Sequence, residues 1–182
     1  MNLDKLDHRP QADHRPRVVL IGPMGSGKTT VAGRLARHWG VSSRDTDHDV
    51  EVAEGRAISD IFVESGEAHF RALERAAVKR ALEEHDGVLA LGGGAVVDEQ
   101  TRAALAGHTV VFLRVGLADA VKRVGLGTSR PLLLGNVRSR IKALLDERTP
   151  VYEAAATFAV DTDGRTPDEI ADEIVTRIEE QS

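Results

Sequence analysis

Short apolar runs alternate along the chain with stretches whose hydrophobic residues recur every three or four positions. Val18 to Ile21, Val88 to Leu91, Thr109 to Val115 and Thr157 to Val160 have the length and branched side chains of strands covered on both faces. Between them, Val31, Leu35 and Trp39 mark one face of a helix ending near Gly40, and Phe70, Leu73, Ala77 and Ala81 mark a longer one. Leu117, Val121 and Val124 predict a further helix. Thr166-Pro167-Asp168-Glu169 supplies an N-cap, a first-turn proline and a capping-box glutamate ahead of Ile170, Ile174 and Ile178. This alternation predicts an α/β domain with a parallel sheet and helices on both faces. Val41-Ser42-Ser43-Arg44 is too polar for a central strand, so residues 41–47 are expected to form an edge strand.

Directly after the first apolar run stands Gly22-Pro23-Met24-Gly25-Ser26-Gly27-Lys28-Thr29, which fits G-x-x-x-x-G-K-[ST]. Glycines let consecutive backbone N–H groups turn inward on phosphate oxygens, and the following helix adds its positive end. Lys28 is placed to reach the β and γ phosphates, and Thr29 to ligate Mg²⁺. A nucleoside triphosphate is the expected ligand.

Composition narrows the field further. The 182 residues are 41% hydrophobic and 29% charged, which suits one domain with a sizeable core. There is no cysteine, hence neither a disulfide framework nor a thiolate nucleophile. The net charge of -5 argues against a nucleic-acid surface, which usually carries a basic excess. No run approaches a membrane span, and the N-terminus lacks the apolar core of a signal peptide. A soluble, cytoplasmic protein without nucleic-acid or membrane partners is expected. Residues 1–16 are polar and contain Asp-His-Arg-Pro twice; a disordered tail outweighs metal binding there. The folded domain is therefore set at 17–182.

A phosphate-binding loop does not by itself choose among kinases, GTPases and motors. No Asn-Lys-x-Asp for guanine is present. Asp45-Thr46-Asp47 falls a strand's length beyond the first helix, where a parallel sheet sets it beside the phosphate loop. Its carboxylates can serve Mg²⁺ and an acceptor hydroxyl, or simply cap a helix that carries Val50 and Val52. Gly92-Gly93-Gly94 follows a strand at the carboxyl edge of the sheet, where open α/β folds bind ligands; a plain turn is the alternative. Arg71, Arg130 and Arg148 suit carboxylates and phosphoryl groups, although each taken singly reads as an ion-paired surface residue, Arg71 with Glu67 and Glu74 in helical reach. Residues 125–140, with Gly125, Gly127, Gly135 and several arginines, have the character of a mobile lid or of an ordinary surface loop.

In this order the phrases resemble the shikimate kinase family: Gly22 to Thr29, Asp45-Thr46-Asp47, Phe70-Arg71 with Glu74, Gly92-Gly93-Gly94, Arg130-Pro131-Leu132-Leu133, and Arg148 before Pro150-Val151-Tyr152. The match runs over about residues 17–178, and its specificity lies in the ordered set. Ser42-Ser43-Arg44 departs from the more apolar residues usual before Asp-Thr-Asp.

The resemblance implies a three-layer α/β/α P-loop fold of nucleoside-monophosphate-kinase type, with a five-stranded parallel sheet in order 2-3-1-4-5 and a lid. It implies a monomer that transfers the ATP γ-phosphoryl to the 3-hydroxyl of shikimate. Gly25, Ser26, Gly27, Lys28, Thr29 and Thr30 would hold the ATP phosphates, with Arg123 and the segment from Arg165 to Pro167 flanking the adenine. Asp47 would hold the acceptor hydroxyl as base, and Lys28 with Arg130 would neutralise the transferring group. Arg71 and Arg148 would clamp the substrate carboxylate, Gly92, Gly93 and Gly94 would line the ring, and Phe62 and Phe70 would form apolar walls. Thr29 would ligate Mg²⁺, with Asp45 supporting it through water. The competing expectations are a kinase for another small molecule such as gluconate, and a noncatalytic nucleotide-binding regulator on the same fold.

Overall fold

The computed structural model describes residues 14–125 and 134–182. Five strands, β1 (Val18–Ile21), β2 (Ser43–Asp45), β3 (Val88–Ala90), β4 (Val110–Arg114) and β5 (Phe158–Asp161), form one parallel sheet in the order β2-β3-β1-β4-β5. The strands are short, three to five residues each, which suffices to span a core covered by helices on both faces of the sheet. Side chains alternate across the sheet. Val18 and Leu20 of β1 enter a core with Val31 and Leu35 of helix α1 (Lys28–Trp39) and Ile170 and Ile174 of α8 (Pro167–Glu180). Val19 and Ile21 face the other way.

That second core joins Val78 and Ala81 of α4 (Glu67–Glu84), Leu105 just after α5 (Glu99–Ala104), and Tyr152 of α7 (Leu134–Ala155). A third, small cluster of Val50, Ile61, Phe70 and Ala77 binds α2 (Thr46–Glu54) and α3 (Ile58–Ser65) to α4. This lobe stands beside the carboxyl edge of the sheet, where β2 ends. Helix α6 (Leu117–Gly125) completes the wall on the β4 side.

The expected helices and strands are present, the strand at 157–160 shifted by one residue. Gly40 closes α1 in the left-handed conformation (φ 64°), and Thr166 and Glu169 cap α8 reciprocally. The edge strand is β2, where Arg44 is spread between Asp49 at 2.6 Å and Glu84 at 3.3 Å. Arg15, within the segment 1–16 expected to form a tail, donates to the Gly107 carbonyl at 2.6 Å, so the end of that segment touches the turn before β4. Residues 1–13 lie outside the described residues. Of the segment 125–140, residue 125 ends α6 and residues 134–140 open α7, while 126–133, including Arg130, lie outside the described residues.

Candidate active site

The turn from β1 into α1 is made by glycines in the left-handed region, Gly25 at φ 80° and Gly27 at φ 88°. Gly27 is also the N-cap of α1, so the helix begins without a capping side chain and its first N–H groups face the cleft. Lys28 bends back over this turn, and its Nζ donates to Gly22 O at 2.6 Å and Pro23 O at 3.0 Å. Burial lowers the Lys28 ammonium to about 8 despite the opposing pull of Asp47 and Asp45. The Ser26 hydroxyl is buried with no protein partner. A phosphate oxygen answers both features, since it offers acceptors to an orphaned hydroxyl and to a desolvated cation.

Asp45 ends β2 and caps α2: its Oδ1 accepts from Asp47 N at 2.9 Å, while its Oδ2 accepts from the Thr29 hydroxyl at 3.3 Å. The same side chain thus caps α2 with one oxygen and meets the phosphate-loop threonine with the other. Asp47, in the first turn of α2, points into the cleft. Burial pushes its carboxyl up to about 6, with Asp45 and Glu74 adding to the rise and Lys28 opposing it.

The three consecutive glycines each admit a different neighbour. A Cβ on Gly92 would overlap Asp47 Oδ1 and lie 2.9 Å from Glu74 Oε2; one on Gly93 would stand 3.3 Å from Met24 N; one on Gly94 would lie 2.6 Å from Arg71 Nη1. A side chain at Gly92 would collide with the carboxylates and one at Gly94 with the guanidinium, while one at Gly93 would press on the phosphate loop. Thr46, wholly buried, accepts from Gly92 N at 3.2 Å and fixes the glycine loop to the start of α2, directly after β2.

On α4, Arg71 is gripped by Glu74 at 2.7 Å and Glu67 at 3.6 Å. Glu74 is 2% exposed; burial raises its pKa, and Arg71 followed by Arg148 counters that rise. Two guanidinium groups thus converge on one buried carboxylate. Phe62 and Phe70 pack with ring centroids 4.8 Å apart and planes tilted by 37°, forming an apolar wall, Phe70 buried and Phe62 partly open. A single cavity of about 650 Å³ connects these groups, lined by Gly25, Gly27, Lys28, Thr29 and Thr30 at one end and by Asp47, Arg71, Gly93, Gly94 and Arg148 at the other.

Of the residues expected beside the adenine, Arg123 donates to Gly25 O of the phosphate loop at 2.9 Å and to Thr162. Arg165 is drawn onto α8 by Glu173 at 2.5 Å and does not line the cavity. Thr46 and Tyr152, neither assigned a role from sequence, are both central: the Tyr152 hydroxyl donates to Gly93 O. Tyr152 is the chain's one tyrosine, placed four residues after Arg148, and a polar aromatic on the buried side of a helix was the available signal. No cluster of three or more His, Asp or Glu able to hold a metal alone is found among the described residues, and none of their helices is long and apolar enough to cross a membrane.

The shikimate kinase family model matches residues 24–179. The shikimate kinase of Salinispora arenicola is 62% identical over 159 residues, 87% of this chain and 95% of the relative, and that of Thermobifida fusca is 58% identical over 164 residues, 90% and 95%. Among solved structures, a shikimate kinase from Acinetobacter baumannii in complex with shikimate superposes with a TM-score of 0.86 at 32% identity, covering 93% of this chain and 96% of that one. Given a match over this length, in a chain whose phosphate loop, acidic pair and glycine loop meet in one cleft, the protein belongs to the shikimate kinase family.

Proposed function

We propose that the protein transfers the γ-phosphoryl group of ATP to the 3-hydroxyl of shikimate. The observation that carries this reading is the continuous cavity with phosphate-binding groups at one end, a carboxylate-binding arginine pair at the other, and Asp47 between them. A hydroxylated carboxylic acid held by Arg71 and Arg148 presents a hydroxyl to Asp47, in line with a phosphate chain seated on α1.

The chemistry asks for positioning and charge stabilisation rather than a covalent intermediate. Asp47, raised to about 6, is ionised at neutral pH yet basic enough to accept the hydroxyl proton as the oxygen attacks. Lys28 exchanges its two loop carbonyls for phosphate oxygens and balances the charge on the transferring group. Arg123 braces the loop through Gly25 O, and in this reading it flanks the adenine together with the segment from Arg165 to Pro167. Arg130 is assigned to the same charge balance as Lys28. Mg²⁺ typically takes one or two carboxylates along with phosphate oxygens and water, and the oxygen donors of Thr29 and Asp45 suit it; bound there, it would withdraw charge from the phosphates. The protein acts in this reading as a cytoplasmic monomer.

The test is direct. Purified protein with Mg-ATP should release ADP when shikimate is added, and not with gluconate, glucose or a nucleoside monophosphate. No shikimate-dependent ADP release from folded, ATP-binding protein rejects the reading, and turnover with gluconate alone would replace it.

A further inference from the structure

We propose that Tyr152 is a positioning residue for the acceptor half of the cleft, its hydroxyl tying the Arg148 guanidinium to the Gly93 carbonyl. This inference rests on the function proposed above for Arg148 and the glycine loop.

Tyr152 is 1% exposed, with its ring stacked on Phe112 of β4 at 5.0 Å and 25°. Packing alone would be served by phenylalanine. The hydroxyl is instead put to use: it donates to Gly93 O, and Arg148 stands one helical turn earlier on the same helix α7, near enough for its charge to act on the phenol. The hydroxyl spends its one proton on Gly93 O, which leaves the oxygen's lone pairs to face the Arg148 guanidinium, and burial, by raising the phenol, keeps that proton in place. Gly93 is also the member of the glycine loop that abuts the phosphate loop at Met24. The tie therefore meets the cleft where its two halves join. An arginine held in place before its ligand arrives loses less side-chain freedom on binding, so the contribution appears in acceptor affinity.

Tyr152→Phe keeps the ring, the volume and the stacking, and removes one oxygen. The expected result is a rise of about tenfold in KM and calorimetric Kd for shikimate, with KM for ATP within about twofold of the parent. On an Arg148→Ala background, Tyr152→Phe should add little, because the tie acts through the group already removed. A residue that served only packing would lower Tm and leave both KM values alone. An unchanged shikimate KM, a parallel rise in both KM values, or full additivity with Arg148→Ala overturns the proposal. Amide exchange at Gly93 to Ala95 in the ligand-free protein should quicken in Tyr152→Phe. Since that measurement needs no substrate, unchanged exchange overturns the tie even if the parent enzyme takes a different acceptor.

Discussion

The Asp47 carboxylate lies against the α-carbon of Gly92, in the space that a side chain on that residue would occupy. An acid able to accept a proton is thus aimed by the absence of an atom on its neighbour.

Gly92→Ala should separate chemistry from binding. The new methyl group meets Asp47 Oδ1 and Glu74 Oε2 together, and because Arg71 holds Glu74 by its other oxygen, Asp47 is the carboxylate that is pushed aside. A displacement of about 1 Å in a reacting group is enough for a loss on the order of a hundredfold. We expect kcat to fall by that order or more, while calorimetry shows ATP binding retained and circular dichroism shows the fold intact. A variant within threefold of the parent would mean that Asp47 tolerates being moved.

Asp47→Asn should nearly abolish turnover and yet stabilise the metal-free, nucleotide-free protein. The Asp47 carboxyl stands at about 6 in the fold against a usual 3.8. Between those values the native state holds a proton that the unfolded chain has released, so stability declines as pH rises through the window and stays reduced above it. The loss is at most about 3 kcal/mol. Asparagine carries no charge to bury, so the variant's Tm should exceed the parent's at pH 7.5, with the gap closing toward pH 4. Equal melting curves across that range would show that the folded carboxyl is not raised.

Thr46→Val removes the acceptor for Gly92 N and leaves a buried N–H unsatisfied. Such a loss is worth about 1–3 kcal/mol, and for a domain of this size each kcal/mol moves Tm by about 2–4 °C. Thr46→Ser should recover most of it. Thermal denaturation of the two variants decides the matter, and no deficit in Thr46→Val would assign the glycine loop's position to other contacts.

Arg71→Lys keeps the charge and discards the fork. Because Glu74 already takes Nη1, a lysine that pairs with Glu74 has no second nitrogen to turn to a ligand and offers it only a shared point charge. Steady-state kinetics should show the shikimate KM rising about tenfold or more with the ATP KM little altered. A change in both constants would place Arg71 in the architecture of the cleft rather than in acceptor binding.

What could be read from the sequence was what neighbouring residues decide among themselves. The phosphate loop, the capping box at Thr166 and the apolar face of Val31 and Leu35 depend on residues within two turns of one another, and all appear where their spacing places them. Helix α7 was not read, since it carries Pro150 inside and its few apolar positions give no clear stripe. Helices α2, α3 and α5 are short, and α2 hid behind a phrase whose capping role competed with its chemistry. The ties that hold the site together join Thr46 to Gly92, 46 residues apart, and Tyr152 to Gly93, 59 apart. No local pattern encodes such pairs, because they exist only once the sheet has brought its strand ends together.

Strand β1 is hydrogen-bonded on both sides, to β3 and β4, whereas β2 is paired on one side alone and runs for three residues. The nucleotide end of the cleft is consequently anchored to the stiffest part of the sheet, and the acidic pair to its most compliant. Any adjustment of the distance between donor and acceptor is cheapest on the acceptor's side, by a small swing of β2 with the helices that follow it, while the phosphate seat stays fixed.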